Sequence, residues 1–95
     1  MRKYEVMVLV DADVDDRKVQ ALVEKHLETI TKGGGTVDNT DFWGRRRLAY
    51  DINKKSEASY AVVQLTAEPA VVSELDRLMT IDEAIVRTKV LRRDA

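Results

Sequence analysis

The chain has 95 residues, with 16 Lys and Arg against 17 Asp and Glu, a formal charge of −1. That length predicts one domain over residues 1–95 with a single core between two layers, and it excludes a large enzyme with an enclosed active site. Cysteine is absent, which excludes disulfides, a thiol nucleophile, a zinc ribbon and an iron–sulfur cluster.

Tyr4 to Val10 alternates, with Val6, Val8 and Val10 on one side and Glu5, Met7 and Leu9 on the other. This is the period of a strand with both faces partly covered. Its apolar run, Val6 to Val10, is shorter than a signal-peptide core and far short of a membrane span, so a cytoplasmic protein without a membrane partner is expected. The period then changes. Val19, Leu22, Val23, Leu27 and Ile30 form one helical stripe, with Asp15 as N-cap, Val14 stapled onto Val19, and Gly33-Gly34-Gly35 as the stop. Thr36 to Asn53 reads as a long extended stretch with a bulge or bend at Gly44, and Leu48, Tyr50 and Ile52 are expected to face the helices. A polar turn, Lys54-Lys55-Ser56-Glu57, leads into an apolar strand from Ser59 to Ala67, making a hairpin.

Glu68-Pro69 opens a second helix that buries Val72, Leu75, Leu78 and Met79. Ile85 to Leu91 closes the chain as a strand, with Val86, Thr88 and Val90 facing one way and Ile85, Arg87, Lys89 and Leu91 the other. The order βαββαβ, wound with right-handed crossovers, predicts an α+β ferredoxin-like plait: a four-stranded antiparallel sheet with both helices on one face. The first and third strands are then central, and the other sheet face has no helix over it.

The small net charge conceals a division along the chain. Residues 44–55 carry five basic side chains and one acidic, and residues 87–95 carry four and one. The windows 1–43 and 56–86 are net −3 and −5, which predicts two basic islands set between acidic helices. An anionic partner must therefore meet a local patch rather than the bulk charge.

His26 is the only histidine, and acid–base chemistry needs an oriented partner that its neighbourhood in sequence lacks. A place on the first helix, at its surface or its boundary with the core, is the simpler reading. Asp11, Asp13, Asp15 and Asp16 lack the glycine and terminal glutamate of a calcium loop, so capping explains them better. The three glycines precede a strand, not the helix N-terminus that a phosphate loop uses. No catalytic or metal-ligating set and no cofactor is assigned. Trp43-Gly44-Arg45-Arg46-Arg47-Leu48-Ala49-Tyr50 is the most informative stretch. Its arginines either protect an edge strand from aggregation or bind phosphates while Trp43 or Tyr50 stacks on a base or packs on a partner. A further structural alternative pairs Arg46 with Asp41 or Asp51.

Arg2-x-Tyr4-Glu5, Gly34-Gly35, Trp43-Gly44-x-Arg46-x-Leu48-Ala49-Tyr50-x-Ile52, Tyr60, Glu74-Leu75-x-Arg77 and Glu83-x-Ile85-Val86-Arg87 together resemble the bacterial small-subunit ribosomal protein six family, over essentially the whole chain. The Gly-x-Arg-x-Leu-Ala-Tyr block is the specific part. The resemblance implies a ferredoxin-like, non-enzymatic, ribosome-bound protein that binds the central domain of small-subunit ribosomal RNA together with ribosomal protein eighteen. Arg46 and Arg87 head the candidate RNA- or partner-binding residues, because both match the family pattern and fall on the two edge strands. Arg2, Tyr4, Trp43, Arg45, Arg47, Lys54 and Arg92 join them.

Other uses of the fold fit less well. An RNA-recognition motif needs an aromatic-rich third strand, where this chain has Ser59-Tyr60-Ala61-Val62-Val63. An acylphosphatase-like enzyme needs an anion-binding loop after the first strand, where Asp11 to Asp16 would repel a phosphate. A small-molecule-binding regulatory domain remains the alternative, since fold alone does not fix function.

Overall fold

The computed structural model describes the backbone of residues 1–52 and 55–93 and the side chains of residues 1–48 and 56–93. Six elements follow one another: β1 (Arg2–Asp11), α1 (Asp16–Lys32), β2 (Thr36–Ile52), β3 (Lys55–Ala67), α2 (Pro69–Thr80) and β4 (Ile85–Arg92). The strands pair antiparallel in the order β2-β3-β1-β4. This is the ferredoxin-like plait, with β1 and β3 central.

Strand alternation delivers Tyr4, Val6, Val8 and Val10 of β1 and Ala61, Val63, Leu65 and Ala67 of β3 to one face. There they meet Val19, Val23, Leu27 and Ile30 of α1 and Val72, Leu75 and Met79 of α2. Asp15 caps α1 as expected, its carboxylate accepting from Arg17 N at 2.9 Å, and Val14 packs against the same core. Pro69 starts α2, where its missing N–H leaves no helical bond unmade. After α1 the chain runs so close to β3 that a Cβ on Gly35 would lie 2.6 Å from the Thr66 carbonyl oxygen. Only glycine fits that passage.

Four details depart from the sequence reading. First, β3 begins at Lys55, not Ser59, and Ile52 pairs with Lys55. Ladder pairing carries polar residues into the strand, and it sets Arg47 opposite Glu57, a favourable cross-strand charge pair. Lys54 lies outside the described residues.

Second, β2 carries register shifts between Val37 and Asn39 and between Phe42 and Gly44. Each bulge adds one residue and reverses the phase of the side chains. Phe42 therefore packs against the helix-side core, whereas Leu48 joins Leu9 and Ala58 on the opposite face. The expectation that Leu48 faces the helices is overturned by the bulge at Trp43 and Gly44. The side chains of Tyr50 and Ile52 lie outside the described residues.

Third, Val10 pairs with Ile85 but Leu9 with Arg87, a shift that leaves Val86 as the extra residue. Ile85 and Val90 consequently pack on the helix side and Val86 on the other. Fourth, the expected acidic character holds for α2, with Glu74 and Asp76 against Arg77, but not for α1. α1 has Arg17, Lys18, Lys25 and Lys32 against Asp16, Glu24 and Glu28, because much of the negative charge of residues 1–43 sits in the turn after β1 and along β2.

Candidate nucleic-acid interface

Cross-strand register builds the open sheet face row by row. Gly44 lies opposite Tyr60, Tyr60 opposite Leu9, and Leu9 opposite Arg87. On one side of this row, Arg46 lies opposite Ala58. On the other, the row runs from Asp41 through Val62 and Met7 to Lys89. The middle of the face is thus apolar: Leu9 is 6% and Leu48 9% exposed, with half-buried Met7, Tyr60 and Val86 around them. Exposed Arg46 flanks it from the β2 edge, and exposed Arg87 and Lys89 from the β4 edge. Three inter-strand spacings put the two edges roughly 14 Å apart.

Trp43 is 43% exposed. Its ring lies parallel to that of Tyr60, with centroids 6.2 Å apart and planes within 7°. The indole N–H donates to Asp41 Oδ2 at 3.1 Å. Gly44, with φ +82, supplies the left-handed backbone of the bulge, a conformation strained for other residues. Trp43, Tyr60 and Arg46 line a shallow pocket of about 450 Å³. Among the described residues Arg46 forms no ion pair. Asp41 instead holds the Trp43 indole, and the side chain of Asp51 lies outside the described residues.

The remaining sequence candidates divide by surroundings. Arg45 points away from this pocket and donates from Nη2 to the Ala12 carbonyl at 2.8 Å, tying β2 to the turn after β1. Arg2, Arg47 and Arg92 are exposed. Tyr4 is 7% exposed and its ring belongs to the helix-side core, so it serves packing rather than the surface. Arg46, Arg87 and Trp43 are the candidates that share the open face.

Arg93 is the polar residue that sequence reasoning missed. Its backbone N–H donates to Lys3 O at 2.9 Å, and its Nε to Tyr4 O at 2.9 Å. Nη2 donates to Leu65 O at 3.0 Å and to Asp38 Oδ2 at 2.8 Å. One guanidinium thereby joins β1, β3 and the first bulge of β2. Thr66 donates to the same carboxylate oxygen at 2.7 Å. Hydrogen bonds from Thr66 and then Arg93 hold the Asp38 carboxyl below its ordinary value. In sequence Arg93 looks like any member of a basic run, and its partner Asp38 is 55 residues away.

His26 also has a structural partner. Its Nε2 lies 2.7 Å from Asp82 Oδ2, linking α1 to the turn before β4. Asp82 is lowered chiefly by this bond, with a further contribution from the Ala84 backbone N–H.

Fold and face together define a small ferredoxin-like domain that offers an apolar, cation-flanked sheet surface. A model of the ribosomal protein S6 family matches residues 3–92, and the chain belongs to that family, whose members are structural proteins of the small ribosomal subunit. It is similar to small ribosomal subunit protein bS6 of Cutibacterium acnes, with 62% identity over 92 residues, 97% of this chain and 96% of the relative. The 30S ribosomal protein S6 of Thermotoga maritima has a similar structure, with a TM-score of 0.90 at 28% identity over 98% of this chain and 88% of that one. The C-terminal domain of the MgtC protein from Mycobacterium tuberculosis shares the fold alone, with a TM-score of 0.63 at 14% identity over 97% of this chain and 87% of that one.

Proposed function

We propose that this protein, acting as a single structural domain in the cytoplasmic ribosome, binds the central domain of small-subunit ribosomal RNA cooperatively with ribosomal protein eighteen. The observation that carries the reading is the open sheet face, an apolar centre flanked by Arg46 on one edge strand and Arg87 and Lys89 on the other. Apolar area suits a protein partner, and guanidinium groups suit phosphates. A total charge of −1 gives weak non-specific attraction to RNA, so a basic partner that supplies further phosphate contacts would raise the affinity. Its role is to bind and hold geometry, with no bond made or broken.

Filter binding to a central-domain RNA fragment near physiological salt tests the reading. Weak binding alone and much tighter binding with ribosomal protein eighteen is the expected result. Equal affinity with and without that protein would overturn the cooperative part, and no binding in either case would overturn the whole.

A further inference from the structure

Trp43 is the only tryptophan of the chain, and its position is built rather than incidental. The bulge sets both Trp43 and Gly44 against the single residue Tyr60. Gly44 contributes no side chain there, and a Cβ added to it would find nothing within 4 Å. The indole is also held at its edge by Asp41, which restricts its rotation. Two parallel aromatic rings, an open space beside them and an exposed guanidinium on the same pocket wall thus converge at one place.

We propose that this pocket receives one unpaired nucleotide of the RNA, its base stacking on the Trp43 and Tyr60 rings and its phosphate meeting Arg46. The proposal rests on the RNA-binding reading above and deepens it. Stacking suits any base, because every base has a π-face, and it is the usual way a protein surface grips single-stranded RNA. The charge on the walls favours a nucleotide over a side chain of a basic protein. Arg46 lines the pocket, so an incoming lysine or arginine would meet like charge. The carboxylate of Asp41 is directed to the indole N–H.

The test uses the full chain labelled with 5-fluorotryptophan, which gives one fluorine resonance from Trp43. Ribosomal protein eighteen is added first and the central-domain RNA fragment second. Any shift with the protein alone should be small, and the main displacement should come when RNA binds. Trp43→Leu should weaken RNA binding by about 5- to 150-fold while leaving the slope of log affinity against log salt unchanged. Arg46→Ala should instead flatten that slope.

If the resonance moves fully on addition of the protein alone, the occupant is a protein side chain and the nucleotide proposal is wrong, although RNA binding stands. It is equally wrong if RNA binds tightly with the resonance unmoved, or if Trp43→Leu binds RNA as tightly as the parent. If no RNA binds under any of these conditions, the function proposed above fails and the pocket proposal fails with it.

Discussion

The two faces of the sheet are made from the same four strands and hold different kinds of apolar surface. On the covered face Val6, Val8, Val10, Val63 and Leu65 are all but inaccessible, sealed by α1 and α2. On the open face four buried residues, Leu9, Leu48, Ala58 and Val62, sit among half-buried Met7, Tyr60 and Val86. No helix lies over them among the described residues. The covered face closes the fold. The open face keeps its aromatic and cationic chemistry at the surface, where a partner can use it. Bulges make this division, because each reverses which residues of an edge strand face the helices.

The largest expected effect tests whether the covered face carries the stability. Leu65→Ala removes a fully buried side chain from the middle of the core and should cost about 2 to 5 kcal/mol in urea melts. Leu48→Ala, on the open face, can be relieved by water entering the space left behind and should cost about 2 kcal/mol or less. It should also weaken assembly with RNA and ribosomal protein eighteen, which Leu65→Ala should impair only in proportion to unfolding. Equal costs for the two would erase the distinction between the faces.

Arg93 sharpens the comparison, because it is a cation of the open side that is turned inward. Arg93→Ala leaves the carbonyls of Tyr4 and Leu65 without its charged donor and the first bulge of β2 without its tie. The expected loss is about 1 kcal/mol or somewhat more. Arg93→Lys should not restore it, since an ammonium cannot reproduce the fork of bonds to several strands. A salt titration of RNA binding should show the parent slope for Arg93→Ala, in contrast to the exposed arginines.

Acid should act on the covered side through Asp82. Its folded-state value is held below the ordinary 3.8 by His26. A lowered carboxyl contributes stability that is complete above its unfolded value and is lost as pH falls through the folded one. The parent should therefore lose this contribution below about pH 3.8. Asp82→Asn should be less stable than the parent at neutral pH and converge with it in strong acid. Parallel curves for the two proteins would remove the His26–Asp82 pair from the stability of the fold. Asp38, lowered by Thr66 and Arg93, follows the same sign.

Element order and strand partners could be read from periodicity, because Val6, Val8 and Val10 alternate cleanly and Asp15 and Pro69 mark helix starts. Gly44 also announced its bulge. Its consequence for Leu48 four residues on was not legible, since phase after a bulge depends on which partner residue is skipped, a property of the pairing and not of either strand. Val86 shows the same thing at the other edge. Within the candidate site, Trp43 and Arg46 were visible as a motif, but Tyr60 becomes their neighbour only through the β2–β3 register. Arg93 was hidden for a related reason: charge in a sequence carries no direction, and its acceptors lie on three different strands.

The smallest effect on folding is expected from Arg46→Ala, and it bears most directly on what the open face is for. The side chain is exposed on an edge strand and forms no ion pair among the described residues, so its removal should shift stability by no more than about 0.5 kcal/mol. If it meets a phosphate, the variant should weaken binding to all RNA sequences alike and flatten the log–log salt dependence by roughly 0.7 to 0.9. The contrast with Arg93→Ala is then complete, one arginine lowering stability at constant slope and the other lowering slope at constant stability. A stable variant with the parent slope would show that Arg46 meets no phosphate and only keeps the edge of β2 from pairing with other chains. A destabilised variant with the parent slope would assign it to the fold, with the side chain of Asp51 as the partner to test next by Asp51→Asn.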